Sequence, residues 1–189
     1  MLGPQVYTVA RLGLVWGSLA RHYRKPALLS LRGRQVTIRP HLPDGANIVA
    51  MLRHAFDHVA GVHGVSQDIL DQAARLGLRA RRSWVIRPAV DTTTFVPAPE
   101  TPPSPPLRVV MVGAIMWRKS YETAVLAVRR AIDLGAELRL VIIGEGDERR
   151  RIEVAIADLG LGGVVELAGP QPPSAVRDVM RSSHVAMLS

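Results

Sequence analysis

The chain has 189 residues, of which 48% are hydrophobic and none is cysteine. This length suits one ordinary domain or two small ones, and the apolar content excludes a disordered chain. The lack of cysteine excludes a disulfide scaffold and a thiolate zinc site, and it fits a reducing cytoplasm.

The formal net charge of +8 comes mainly from arginine, since Lys25 and Lys119 are the only lysines among 24 basic residues. A basic balance is common in proteins that bind nucleic acids or acidic membranes. Here the arginines are dispersed, and few aromatic residues are present to stack on bases. We therefore expect no nucleic acid as a partner.

The N-terminal region, residues 1–95, mixes helical and strand-like patterns. In chain order, they predict a helix at 6–24, strands at 27–31 and 35–38, a loop at 40–45, a helix at 47–58, a strand at 59–65, a helix at 66–76 and a buried strand at 83–86. Asn47 and Ser66 are the expected caps, and Gly77 the expected helix stop. No apolar run reaches the roughly 20 residues of a membrane span, and the stretch at 12–20 does not read as a signal peptide.

Residues 96–106 form a proline-rich segment that contains six prolines. Proline fixes φ and removes a hydrogen-bond donor, so this segment is predicted to be an extended, semi-rigid linker. It separates the N-terminal region from residues 107–189.

After the linker, strands and helices alternate regularly. The patterns predict strands at 107–112, 138–143, 164–167 and 184–188, with helices at 119–134 and after the caps Asp147 and Ser174. Buried strands that alternate with helices predict a doubly wound α/β fold with a parallel sheet. The last strand would lie at an unprotected edge, so we expect more chain after Ser189.

The most informative loop is GAIMWRKS, from Gly113 to Ser120, between a predicted strand and helix. Ligands bind at the carboxyl ends of strands in open α/β sheets, and a helix N-terminus with Lys119 suits a phosphate. A plain turn with a solvated lysine explains the same residues, and both interpretations stay open. The partial fingerprint Gly144-Glu145-Gly146 has Arg149 where a third glycine is needed, so we interpret it as a tight turn.

Histidines at 54, 58 and 63 raise the question of a metal site, since His54 and His58 share a helix face. There is no HExxH motif and no DxD-like carboxylate pair. We therefore interpret these histidines as surface or half-buried residues, and no metal ligand is predicted.

Motifs at fixed order and spacing extend from Gly64 to Ser189. They are VS at 65–66, VIRPAVD with F.P at 85–97, a strand with the G…KS loop at 109–120, VIIGEG at 141–146 followed by an Arg- and Glu-rich helix, LGL…V…G at 159–169, and a helix and strand that end at a serine. With these motifs the chain resembles the group 1 glycosyltransferases, over about two thirds of its length.

The resemblance implies a GT-B-like α/β fold of two incomplete Rossmann-like domains with parallel sheets. Residues 1–95 would form part of the acceptor-side domain, 96–106 the interdomain linker, and 107–189 an incomplete nucleotide-sugar-binding domain. Gly113, Arg118 and Lys119 would bind the donor, and Arg32 and Gly33 would form an acceptor-side loop. No catalytic residue is assigned.

The implied reaction is retaining, metal-independent transfer of a sugar from a nucleotide-sugar donor to a saccharide or lipid-linked acceptor, in polysaccharide or glycolipid synthesis. No cofactor is implied, and the expected location is the cytoplasm, with peripheral contact at the inner membrane face. In this chain Ala114 replaces the family's phosphate-binding arginine, Ser120 a glycine, and Arg32 a histidine. The family's paired-glutamate motif and its glycine-rich first loop are not matched.

We therefore expect this chain alone to be inactive. From the residues, the alternatives are a non-catalytic nucleotide-binding Rossmann-like module or remnant, a basic RNA-associated domain, and a dinucleotide oxidoreductase. The missing stacking aromatics and Arg149 argue against the last two.

Overall fold

The computed structural model of the chain describes residue 15 and residues 18–79, 82–100 and 103–188. The chain divides into two compact units, Met1–Ala89 and Val90–Ser189. The division falls between Ala89 and Val90, ahead of the predicted linker at 96–106. Within the described ranges, no helix is long and apolar enough to cross a membrane.

The first unit is a parallel α/β arrangement. Its described elements are β1 (Leu28–Leu31), α1 (Arg34–Thr37), a 3₁₀ turn (Arg39–His41), α2 (Gly45–Asp57), β2 (Gly61–Gly64), α3 (Gln67–Arg75) and β3 (Ser83–Val85). The strands pair in the order β1-β2-β3, with every described pair parallel. Leu31 of β1, Leu52 of α2 and Val62 of β2 are fully buried in one apolar core that the strands and helices share.

Local chemistry explains where the helices of the first unit begin and end. The Oγ of Ser66 accepts a hydrogen bond from the Ile69 N–H at 3.3 Å, which caps α3 as predicted. Gly77 has a φ of 104° and ends that helix, also as predicted. The predicted cap Asn47 is wrong, because α2 begins at Gly45 after Asp44.

Two further predictions for this unit differ from the structure, and a third falls partly outside the described residues. The strand at 35–38 is wrong: these residues lie in and beside α1, because Gly33 turns the chain and its carbonyl accepts from the N–H of Val36. The last strand, β3, has the predicted place but is exposed rather than buried. Of the helix expected at 6–24, residues 18–22 are helical, whereas residues 6–14, 16 and 17 lie outside the described residues.

The second unit follows the predicted alternation closely. Its elements are β4 (Leu107–Val112), a 3₁₀ turn (Trp117–Lys119), α4 (Tyr121–Asp133), β5 (Leu138–Ile143), α5 (Arg149–Asp158), β6 (Val165–Gly169), α6 (Pro173–Arg181) and β7 (Val185–Ala186). In the described part of the unit the strand order is β6-β5-β4-β7, all parallel. Val125, Leu140, Ile142 and Leu161 are fully buried in its core.

Helix starts in the second unit differ from the predicted caps. Glu148, not Asp147, precedes α5, and its side chain makes no capping hydrogen bond. Ser174 lies inside α6, which starts at Pro173 because proline suits the first turn of a helix. Of the strand predicted at 184–188, residues 185–186 form β7, which is exposed at the edge of the sheet.

Candidate functional site

The most informative place in the second unit is the carboxyl end of β4. The chain runs from β4 outward to β5 and β6 on one side and returns to place β7 on the other. Such a reversal is a topological switch point, where open α/β sheets form a ligand-binding crevice. β7 is held there by the N–H of Met187, which donates to the carbonyl of Val110 at 2.8 Å.

Gly113 starts the loop at this point, and its backbone is held on two sides. Its φ is 151°, a conformation that favours glycine. Its N–H donates to the carbonyl of Ile143 at 2.9 Å, and its carbonyl accepts from the hydroxyl of Tyr121 at 3.0 Å. Burial raises the pKa of Tyr121, so the hydroxyl stays protonated and available as the donor.

The loop after β5, residues 144–148, packs directly against the 113–120 loop. The N–H of Ile115 donates to the carbonyl of Glu145 at 2.9 Å, and the N–H of Glu148 donates to the carbonyl of Ile115 at 3.2 Å. A Cβ on Gly144 would collide with the carbonyl of Gly113, and a Cβ on Gly146 with that of Ile115. The two glycines therefore allow two loop backbones to touch.

This packing gives Gly144 and Gly146 a role beyond the tight turn that the sequence predicts for them. The available signal was their position: a Gly-x-Gly run directly after a buried strand that lies parallel to β4, the strand before Gly113. Parallel neighbours bring their following loops to the same edge of the sheet. Gly144 and Gly146 are thus part of the site through the backbone they support.

The cations of the site follow in the 3₁₀ turn. Lys119 ends this turn and is half-buried, whereas Arg118 is exposed and its Nε contacts the Sδ of Met116 at 2.9 Å. Ser120 then adopts a left-handed conformation, with φ of 47°, and α4 begins. Its side chain makes no capping hydrogen bond. Lys119 and the positive end of the helix dipole therefore lie within one turn of each other.

The structure thus brings the three predicted donor-binding residues, Gly113, Arg118 and Lys119, into one loop at the switch point. Ala114, which stands where the resemblance calls for a second phosphate-binding cation, is exposed in the same loop. A loop with this charge and these backbone groups can bind an anion such as a phosphate.

At the start of the second unit, Asp91 organises a tight turn. Its carboxylate accepts hydrogen bonds from the hydroxyl of Thr93 at 2.7 Å, the hydroxyl of Thr94 at 2.7 Å and the N–H of Thr93 at 2.9 Å. These bonds lower the pKa of Asp91 to about 2, led by the bond from the Thr93 side chain. The carboxylate therefore stabilises the turn rather than acting as an acid.

Arg32 and Gly33 lie in the first unit, directly after β1. Arg32 is exposed, and Gly33 has a φ of 124° that turns the chain into α1. The loop therefore exists as a defined turn with a cationic side chain in solvent.

The histidines of the first unit have contacts of their own. The rings of His54 and His58 stack with centroids 4.1 Å apart. His63 of β2 contacts both neighbouring strands. Its Nδ1 lies 3.0 Å from the Oγ of Ser30 in β1, and its Nε2 lies 2.8 Å from the carbonyl oxygen of Ile86, directly after β3. Among the residues that the structure describes, no group of three His, Asp or Glu side chains could hold a metal ion.

Comparison with protein families matches residues 93–189, just over half of the chain, to the model described as "Glycosyl transferases group 1". The match therefore contains the whole switch-point region.

Curated relatives agree with this match. The chain is 30% identical over 114 residues to the putative colanic acid biosynthesis glycosyltransferase WcaL of Escherichia coli K12, covering 60% of this chain and 28% of that protein. It is 26% identical over 152 residues to the 2-deoxystreptamine glucosyltransferase of Streptomyces kanamyceticus, covering 75% and 39%. The chain thus spans between about a quarter and two fifths of the length of these relatives.

Solved structures share the fold. Alr3699/HepE from Anabaena, crystallised in complex with UDP, matches with a TM-score of 0.73 at 16% identity, over 94% of this chain and 50% of that one. Sucrose-phosphate synthase from Thermosynechococcus elongatus matches with a TM-score of 0.66 at 17% identity, over 96% and 54%. The predicted class, α/β with parallel sheets and GT-B-like, is confirmed.

Proposed function

We propose, for a chain that belongs to the group 1 glycosyltransferases, that its second unit binds the diphosphate of a nucleotide-sugar donor. The observation that carries this proposal is the loop from Gly113 to Lys119 at the switch point of the sheet. Alr3699/HepE has been solved with UDP and with UDP-glucose, which favours a UDP-sugar as the donor.

The chemistry of the loop suits a departing diphosphate. Negative charge grows on the bridging and terminal phosphate oxygens as the sugar leaves. The ammonium of Lys119 and the N–H groups of the first turn of α4 are positive groups that stabilise this charge. We propose that they do the work of a metal ion and that Arg118 adds a second cation after turning away from Met116. The transfer would proceed with retention at the anomeric carbon.

For the whole protein we propose transfer to a saccharide or lipid-linked acceptor in polysaccharide or glycolipid synthesis. The names of the relatives support this class, since they include a colanic acid glycosyltransferase and a phosphatidylinositol N-acetylglucosaminyltransferase subunit. Residues 1–95 would belong to the acceptor side, with Arg32 and Gly33 in its loop, residues 96–106 to the linker, and residues 107–189 to the donor side. We place the reaction in the cytoplasm, at the inner membrane face.

The experiment that tests donor binding is a calorimetric titration of the chain with UDP. Lys119→Ala is expected to weaken binding by on the order of 30-fold, the effect of losing one charge-assisted hydrogen bond worth about 2 kcal/mol. Lys25→Ala is the matched control, because Lys25 is the other lysine and is exposed in the first unit. Equal affinity of the Lys119→Ala variant and the control would contradict the proposal.

A second test concerns activity. We propose that the chain of 189 residues alone does not transfer sugar, because the family's paired-glutamate motif is not matched in its sequence. Purified chain with UDP-glucose and a panel of glycoside acceptors should therefore release no UDP above the buffer blank. Release that depends on Lys119 would show that the chain is catalytically complete.

UDP titration together with an activity assay of a chimera tests the alternative function. A non-catalytic nucleotide-binding module is favoured by one specific observation, the replacement of a phosphate-binding arginine by Ala114. It predicts UDP binding that depends on Lys119 together with no transfer when the chain is supplied with the remaining family segments from a relative. Restored transfer in such a chimera would exclude it.

A further inference from the structure

Trp117 is unusually exposed for its residue type. Its side chain lies in the 3₁₀ turn, two residues before Lys119, and 72% of the residue is accessible to solvent. Trp84, in the first unit, is 41% exposed and covers Gly61. Tryptophan carries a large apolar surface that folding normally buries, so an indole held in solvent beside a binding loop indicates a ligand contact.

A pocket of about 170 Å³ lies next to the indole, and its size is that of a single small ring rather than a long chain. Four residues of the two loops line one part of it, namely Met116, Trp117, Ser120 and Glu148. Residues 121–123 of α4 and Arg151 and Ile152 of α5 line the rest. All of its lining residues belong to the second unit, so the pocket is formed within one compact body.

Ion pairs orient the polar part of the pocket. The guanidinium of Arg151 lies 2.6 Å from the carboxylate of Glu122 and 3.6 Å from that of Glu148. Arg151 is 63% exposed, and Glu122 and Glu148 are 43% and 30% exposed. Each group therefore keeps hydrogen-bonding positions that face solvent while its partner limits its rotation.

We propose that this pocket is a subsite for a neutral pyranose ring, with Trp117 as the platform beneath the sugar. The axial C–H groups of a pyranose present an apolar face that packs on an indole. Its hydroxyl groups donate to the carboxylates of Glu122 and Glu148 and accept from Arg151, which are strong charge-assisted bonds.

The charges also determine which ligand class fits. The rim carries two carboxylates and one guanidinium, so its charges are largely paired and a neutral ligand fits it better than a phosphate or a uronic acid. A base could stack on the indole, but it would leave most of the polar rim unused. A neutral sugar satisfies both parts of the pocket. The inference does not depend on the proposed function, because we assign the acceptor to the first unit and this pocket lies within the second.

The test is a two-dimensional ¹H–¹⁵N NMR titration of the full chain, in which indole N–H signals are resolved from one another. The probes are the methyl glycosides of glucose, galactose and mannose, N-acetylglucosamine, and separately UDP. At least one of the neutral sugars is expected to shift the Trp117 indole signal in the millimolar range without shifting that of Trp84. Trp117→Ala should weaken this sugar at least about tenfold and weaken UDP far less than Lys119→Ala does.

Two further variants act as controls. Trp117→Phe keeps an aromatic face and should weaken the sugar less than Trp117→Ala does. Leu126→Ala removes an apolar side chain of α4 that is 51% exposed and does not line the pocket, so it should have no effect on either ligand.

The outcomes separate the subsite from the donor site. If UDP binds but no sugar shifts the Trp117 indole, or if the sugar still binds Trp117→Ala, the subsite is refuted and the donor site stands. If Trp117→Ala weakens UDP as much as Lys119→Ala does, Trp117 belongs to the donor site and the inference is wrong. If UDP fails to bind and a sugar binds at Trp117, the donor proposal fails and the subsite stands alone.

Discussion

Gly33 and Gly113 offer a comparison between the two units, because each follows the first described strand of its unit and each has a positive φ. Gly33 turns the chain after β1 at 124°, and Gly113 turns it after β4 at 151°. Their surroundings differ. A Cβ on Gly33 would meet only the Ile69 Cδ1 at 3.7 Å, an ordinary contact, whereas the Gly113 carbonyl is pressed against Gly144.

The difference follows from strand order. In the described sheet of the first unit β1 is an edge strand, whereas β4 has β5 on one side and β7 on the other. β4 therefore has a neighbour on each side: the loop after β5 packs against the loop after β4, and β7 lies on the opposite side. A glycine after a strand makes a turn; the second loop packed against it makes a fixed backbone surface at which a ligand can bind.

The largest expected effect comes from breaking that contact. Gly144→Ala places a methyl group against the Gly113 carbonyl and also requires alanine at a φ of 145°. We expect the free energy of unfolding to fall by about 3 kcal/mol or more, since strain and overlap add. Urea unfolding followed by circular dichroism measures the change.

Gly33→Ala is the matched control for Gly144→Ala. It imposes a comparable backbone conformation without the overlap, so its expected loss is about 1–2 kcal/mol. Equal losses at the two positions would mean that the packed loops contribute nothing beyond backbone conformation.

The next largest effect tests whether the site is short of one cation. Ala114 is exposed, so an arginine can be placed there without a change in the core. Ala114→Arg is expected to tighten UDP binding by about tenfold, through a bidentate contact with a phosphate. Calorimetry with UDP measures this, and Arg32→Ala in the other unit is the control, which should leave UDP affinity unchanged. Unchanged affinity in Ala114→Arg would place the diphosphate away from this loop.

Two serines that precede helices sharpen the comparison further. Ser66 has an extended backbone and caps α3 through its Oγ, whereas Ser120 is left-handed and its side chain caps nothing in α4. Ser66→Ala is therefore expected to cost about 1 kcal/mol of unfolding free energy. Ser120→Ala should change it by less than about 0.5 kcal/mol. Thermal unfolding of both variants gives the ratio, and a larger loss at Ser120 would contradict the assignment of caps.

The sequence predicted much of this fold because the second unit has strong local signals. Uninterrupted apolar strands at 107–112 and 138–143 were placed correctly, since such runs fit a buried parallel sheet and little else. The sequence did not predict the strand order or the packing of Gly144 against Gly113, because both depend on contacts between residues distant in the chain. The donor-loop residues were selected by their place between a strand and a helix, and their role in binding stays a prediction.

Errors arose where two local signals competed. Residues 35–38 have strand-like side chains, but the preceding Gly33 directs the chain into a helical turn that buries Gln35 and Val36. Asp147 and Ser174 are good capping residues, but Asp147 lies one residue before the N-cap of α5 and Ser174 lies two residues after the N-cap of α6. In each case the tertiary contacts of a neighbouring glycine, loop or proline decide between conformations that the local sequence allows about equally.

The smallest expected effect concerns pH and the turn at the beginning of the second unit. The pKa of Asp91 is lowered from 3.8 to about 2 by hydrogen bonds from Thr93 and Thr94. Because the folded value lies below the unfolded one, its contribution to stability is fully present above pH 3.8 and is lost as the pH falls through 2. Asp91→Asn should remove this part of the pH dependence, and Thr93→Val should raise the pKa of Asp91 toward its ordinary value. An NMR titration of the Asp91 carboxyl carbon follows both, and a midpoint near 3.8 in the unaltered chain would show that the threonine bonds are not maintained in solution.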